Sequence, residues 1–227
     1  MQKAVALALA LATFSSPMAA AAQPGLSAIS PRFMSFGAEQ DAPRGFTAMC
    51  AVDSTLCERE ERAGAALAFQ MSVPDASLSP AVQTDGPDPT ADALAAIALP
   101  PLDIKQWRTV NRHVNAHVRQ ISDESAYGEG EVWRASGAGP NAVGDCEDLA
   151  LQKMVELRAA GYPASSLMLA VAYQRRIGLH TVLVVRTQMG DYVLDNMSWA
   201  VKPWSKVKYS WLSVQSPDDP SRWHRLS

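Results

Sequence analysis

Three runs of strand length follow one another late in the chain: Leu167–Tyr173, the β-branched His180–Arg186, and Tyr192–Asp195 after a turn at Gln188-Met189-Gly190. They predict three consecutive strands, the last two forming a hairpin. Just before them, Leu149, Ala150, Met154, Val155 and Leu157 recur at helical spacing until Gly161-Tyr162-Pro163 stops the helix. A helix followed by such a sheet buries its apolar side against it, which predicts an α+β core with the helix packed on an antiparallel β-sheet. The hairpin makes a sharper statement. With its loop centred on Gln188-Met189, His180 and Asp195 share one face as diagonal neighbours, roughly 7–8 Å apart at Cα. A loop centred one residue later would put them on opposite faces.

The helix opens on Gly144-Asp145-Cys146-Glu147-Asp148. Pro140–Gly144 reads as loop, Asp145 suits the N-cap, and Asp148 follows three residues on, as in a capping box. Cys146 then lies in the first turn, where free backbone N–H groups and the positive end of the helix dipole favour thiolate. Its own N–H could face a developing oxyanion. Nucleophilic cysteine chemistry requires a thiol, a base to take its proton and a carboxylate to orient the base. Cys146, His180 and Asp195 supply that set in chain order. The bland alternative is an inert helix cysteine and a strand histidine satisfied by a backbone group. Asp145, Glu147 and Asp148 oppose a thiolate by repulsion, and a hard divalent cation on their oxygens would relieve this.

The Gly144–Asp148 block, the helix after it, the Gly178-Leu179-His180 strand and Val193-Leu194-Asp195-Asn196 resemble the bacterial transglutaminase-like cysteine proteinases of LapG type. Trp107 with Asn111 and Asn115, and then Trp133, fit the same pattern more loosely. The resemblance spans Leu102 to Trp204 and departs from the family at Leu149, where an aromatic residue is usual. It implies a papain-like or transglutaminase-like fold and peptide hydrolysis through Cys146, His180 and Asp195. It further implies calcium held by Asp145 and Glu147, with Asp148 a plausible further ligand. The implied setting is the periplasm, with a large surface adhesin as substrate and an inner-membrane receptor for a cyclic dinucleotide as the restraining partner. Asn111 and Asn115 would support the site. Trp133 would shape the cleft or help an oxyanion, with core packing as its competing role. Two other activities fit the same fold: a non-catalytic peptide-binding module and a transglutaminase-type acyl transferase.

The rest of the chain bears on compartment. Residues 1–22 read as a secretory signal peptide, with Lys3, an apolar core from Ala4 to Phe14 and a small-residue run ending at Ala22. That core is about half the length a membrane span needs, so no membrane insertion of the mature chain is expected. The 20 basic and 23 acidic residues show no excess that would point to nucleic acid or an anionic membrane. Residues 23–101 read as an N-terminal arm, extended at first, with a short helix over Glu58–Phe69 and a Pro/Ala-rich loop from Val73 to Pro101. Within it, Cys50 and Cys57 form a disulfide by default after export, with a metal site as the alternative. Pairing them leaves Cys146 free. Residues 102–213 form the cysteine proteinase domain. It begins with a helix over Leu102–Ile121, whose Ile104, Trp107, Val110, Val114, Val118 and Ile121 define one apolar face. His113 and His117 on that helix lack the acid and third ligand of a zinc protease helix and read as solvated. Trp199–Trp211 alternates like edge strands, and residues 214–227 read as a polar, frayed tail.

Overall fold

The computed structural model describes residues 32–58 and 99–226. The expected signal peptide, all but the first residue of the helix expected over Glu58–Phe69 and most of the Pro/Ala-rich loop lie outside the described residues.

Strand β1 (Phe36–Gln40) and helix α1 (Arg44–Val52) open the described chain, and α2 (Ile104–His117) follows. Short elements come next: β2 (Arg119–Gln120), α3 (Asp123–Tyr127) and β3 (Val143–Gly144), with β2 and β3 pairing in parallel. Helix α4 (Cys146–Ala159) then leads into β4 (Leu167–Gln174), β5 (Gly178–Thr187) and β6 (Gly190–Leu194). The chain ends through β7 (Lys202–Pro203), β8 (Ser210–Gln215) and β9 (Trp223–Leu226). Seven strands form one sheet in the order β1-β9-β8-β4-β5-β6-β7. Every pairing in it is antiparallel.

The central strands alternate as a two-sided buried sheet must. Leu167, Leu169, Leu183, Val185 and Leu194 pack with the helices, while Met168, Ala170, Val182, Val184 and Val193 pack on the other face. Helix α4 lies between β5 and α2, and its residues from Glu147 to Met154 are all buried. Covered on several sides, it shows no clean apolar stripe.

Two expectations for the flanks are corrected. The arm carries a helix, α1, whose Phe46 is buried in the main core. The tail is not frayed: β9 pairs with both β1 and β8, and Trp223 is fully buried. Phe46, Trp133 and Trp223 meet edge to face with centroids 5.4–6.3 Å apart, a preferred aromatic geometry that ties both flanks to the core. Cys50 and Cys57 form the expected disulfide just beyond them.

At the β5–β6 turn, Asp191 accepts two hydrogen bonds from Arg186, at 2.9 and 2.8 Å, and one from Met34 N at 2.7 Å. The same guanidinium lies 4.8 Å from the Phe36 ring centroid. One buried carboxylate thus anchors the described start of the chain to the hairpin.

Candidate active site

The β5–β6 loop is Gln188-Met189, since Thr187 pairs with Gly190 and Leu183 with Leu194. That register carries His180 and Asp195 to one face as diagonal neighbours. Their side chains meet: His180 Nε2 lies 2.9 Å from Asp195 Oδ1. Oδ1 also accepts Met197 N at 2.8 Å, and Oδ2 accepts the Tyr209 hydroxyl at 2.6 Å. Burial works to raise the Asp195 pKa, but the hydrogen bonds from His180, Tyr209 and Met197 outweigh it and hold the carboxyl below its ordinary value. Helix α2 holds the backbone here. Asn115 Nδ2 donates to the Asp195 carbonyl at 2.9 Å, and Asn111 Nδ2 to the Ser198 carbonyl at 2.7 Å.

Cys146 is the first residue of α4. Its Sγ accepts the Thr181 backbone N–H at 3.3 Å, so the sulfur rests against the residue next to His180. With Nε2 committed to Asp195, Nδ1 is the ring nitrogen left for another partner. The thiol itself lies 3.0 Å from Glu147 Oε2, to which it donates. Burial pushes the Cys146 thiol well up, and the charge and hydrogen bond of Glu147 push it further. The helix-start advantage is therefore overridden in this state.

The acids do not form the expected capping box. Asp145 occupies the N-cap position without a side-chain cap bond. Asp148 turns instead to the loop before it, accepting Arg134 N at 2.8 Å and the Tyr127 hydroxyl at 2.9 Å. Gly144 leaves it room: a Cβ there would stand 2.5 Å from Asp148 Oδ2. Asp123, at the start of α3, accepts Val132 N at 2.6 Å. Ligand atoms of Asp145, Cys146 and Glu147 lie within 4.8 Å of one another, as do those of Asp123, Asp145 and Asp148. Asp123 Oδ1 and Asp145 Oδ1 are buried without a hydrogen-bond partner. Burial raises the pKa of every one of these carboxyls, taking Glu147 up to about 8 and Asp148 to about 7. Crowded hard oxygen donors with orphaned lone pairs fit a hard divalent cation such as calcium. Asp123 escaped the sequence reading, although Ser122-Asp123-Glu124 carries the signal of a helix start with acids in its first turn.

The remaining candidates fall away from the chemistry. The Trp133 indole N–H donates to Glu131 Oε1 at 3.0 Å, and the ring packs in the core, so its role is packing. A Cβ on Gly45 would lie 2.2 Å from that ring, which accounts for the glycine. His113 is exposed and pairs with Glu156 at 3.2 Å.

A thiol at the mouth of a helix, resting beside an imidazole–carboxylate pair on an antiparallel hairpin, places the molecule among α+β proteins of papain-like and transglutaminase-like build. The chain belongs to the bacterial transglutaminase-like cysteine proteinases, whose defining pattern matches residues 86–227, more than half of its length. That family is one of cysteine peptidases acting on protein. Solved structures of LapG from Legionella pneumophila are similar at 23% identity and a TM-score of 0.41, covering 48% of this chain and 61% of that one. The calcium-bound form of that LapG gives 22% identity and the same TM-score of 0.41, over 48% of this chain and 62% of that one. An EGTA-treated form stands at 23%. The match thus spans about three fifths of the LapG chains. No curated protein matches this chain.

Proposed function

We propose that the chain is an exported, calcium-dependent cysteine peptidase with Cys146 as nucleophile, His180 as base and Asp195 as the residue that orients the base. The observation that carries this reading is the 2.9 Å bond from His180 Nε2 to Asp195, which leaves Nδ1 as the ring nitrogen free to accept a proton. His180 Nδ1 takes the proton from Sγ, and the sulfur attacks an amide carbonyl carbon, forming a C–S bond as the carbonyl pair moves onto oxygen. The Cys146 N–H, in the first turn of α4, would donate to that oxygen. His180 gives its proton to the amide nitrogen as the C–N bond breaks and the amine leaves. Water, deprotonated by His180, then attacks the thioester, and the C–S bond breaks to release acid and thiol.

Asp123, Asp145, Glu147 and Asp148 would hold the calcium, and its charge would offset theirs beside the sulfur. Export is supported by the Cys50–Cys57 disulfide, which persists in an oxidising compartment such as the periplasm, and by the leader-like residues 1–22. Leu179, Met197 and Trp199, close in sequence to His180 and Asp195, are exposed apolar side chains of the kind that suit an unfolded peptide segment. The family resemblance extends the proposal to a large surface adhesin as substrate and an inner-membrane receptor as regulator.

The test uses peptides from unfolded proteins, incubated with the wild type or Cys146→Ala, in calcium or in EGTA. New N-termini found by mass spectrometry are expected only with the wild type in calcium. Equal cleavage by Cys146→Ala overturns the peptidase, and full cleavage in EGTA removes calcium from the account.

A further inference from the structure

We propose that Tyr209 is a positioning residue of the His180–Asp195 pair. Its hydroxyl holds the carboxylate so that Oδ1 faces the imidazole Nε2, which leaves Nδ1 for the thiol proton. The inference rests on the catalytic reading of Cys146, His180 and Asp195, and adds a fourth side chain to it.

A carboxylate bound through one oxygen can tilt or exchange its oxygens. Donors on both oxygens remove that freedom. Here the two oxygens divide their partners: Oδ1 takes His180 Nε2 and Met197 N, and Oδ2 takes the Tyr209 hydroxyl at 2.6 Å. This is the short geometry of a hydrogen bond to a charged acceptor, roughly twice as strong as a neutral one. The Tyr209 ring also stands edge-on to the His180 imidazole, with centroids 5.5 Å apart and planes at 82°. One side chain therefore touches both partners of the pair. Burial and the neighbouring Asp195 charge raise the Tyr209 pKa well above that of an ordinary phenol, so it remains a donor across the working pH range.

The fold makes this placement rigid. Tyr209 immediately precedes β8, where Ser210 pairs with Tyr173 and Trp211 with Ala172 of β4. Ala172 pairs on its other side with His180. Tyr209 and His180 are thus registered against the same strand. Trp211 packs against the tyrosine ring at 5.8 Å. Asp195 and Tyr209 both line a cavity of about 410 Å³ that also presents Lys202, Lys206 and Lys208. Without the phenol oxygen, water or an ammonium group from that cavity can draw Oδ2 away from its present direction.

The test needs no natural substrate. Cys146 is alkylated with iodoacetamide in calcium buffer in the wild type, Tyr209→Phe, Asp195→Ala and the double variant, and thermal midpoints are measured alongside. Tyr209→Phe is expected to slow alkylation about ten-fold, the scale of one lost hydrogen bond to a charged group. In the Asp195→Ala background the same change is expected to have no further effect, because the two act as one unit. Replacement of Tyr209 by 3-fluorotyrosine keeps the ring and strengthens the donor, so it should restore at least the wild-type rate even if phenylalanine disturbs folding. A wild-type rate in Tyr209→Phe, an equal loss in both backgrounds, or a fluorotyrosine protein as slow as the phenylalanine variant overturns the proposal. Wild-type labelling no faster than that of a free thiol overturns the catalytic reading itself, and this inference with it.

Discussion

Buried carboxylates occur near both ends of β5, and they are treated in opposite ways. Near its end, Asp191 is fully buried and receives a two-pronged guanidinium together with a backbone N–H. Near its start, Asp123, Asp145, Glu147 and Asp148 crowd the mouth of α4. Their hydrogen bonds come from backbone N–H groups, a tyrosine hydroxyl and the thiol, and among the described residues no lysine or arginine ion-pairs with them. A carboxylate supplied with its own cation closes a structure. Several without one carry a penalty that protonation or an added cation must relieve.

The largest expected effect breaks the first half of that contrast. Asp191→Ala leaves the Arg186 guanidinium without its buried partner and should cost about 3–5 kcal/mol, read by denaturant unfolding. Asp145→Ala should act with the opposite sign, raising the thermal midpoint in EGTA while abolishing the stabilisation by calcium. Two losses of similar size would erase the distinction between the two regions.

Acidity sharpens it further. Glu147 and Asp148 have folded-state pKa values of about 8 and about 7, above their ordinary 4.5 and 3.8. Between those limits the native state binds more protons than the unfolded chain, so stability is greatest at low pH and falls as pH rises through the folded values. In EGTA the thermal midpoint should therefore drop between about pH 5 and about pH 8. The gain from added calcium should grow over the same range. A calcium gain independent of pH would separate the ion from these acids.

A smaller effect concerns Lys153, buried in α4, whose pKa burial lowers to about 7 against the opposing pull of Asp195. Between that value and the ordinary 10.5 the unfolded chain holds more protons, so this residue's contribution to stability improves as pH rises. Lys153→Met should stabilise the fold by about 1–4 kcal/mol near pH 6, and the gain should shrink toward about pH 10. A constant gain at all pH values would assign the effect to packing.

Much of the site was legible because its parts are local. Helical spacing located α4, and the turn signal located the β5–β6 hairpin but left two loop centres open; the pairing of Thr187 with Gly190 selects the one that brings His180 to Asp195. Asp123 and Tyr209 were not legible as site residues, since each reaches the site through non-local packing that neither motif nor period announces. The four-residue β9 was too short and polar to separate from a tail, and its Trp223 is buried through partners near the start of the described chain. The capping box failed for a similar reason. The loop from Tyr127 to Arg134 offers Asp148 better-placed donors than its own helix does.

The most direct measurement is the rate at which iodoacetamide alkylates Cys146 near pH 6 in calcium, in the wild type and in His180→Ala. A thiol whose proton is held by the imidazole should react about 10²-fold faster than a thiol left with an ordinary pKa. His180→Ala should fall to that slower rate while remaining folded. Equal rates in the two proteins would contradict the account.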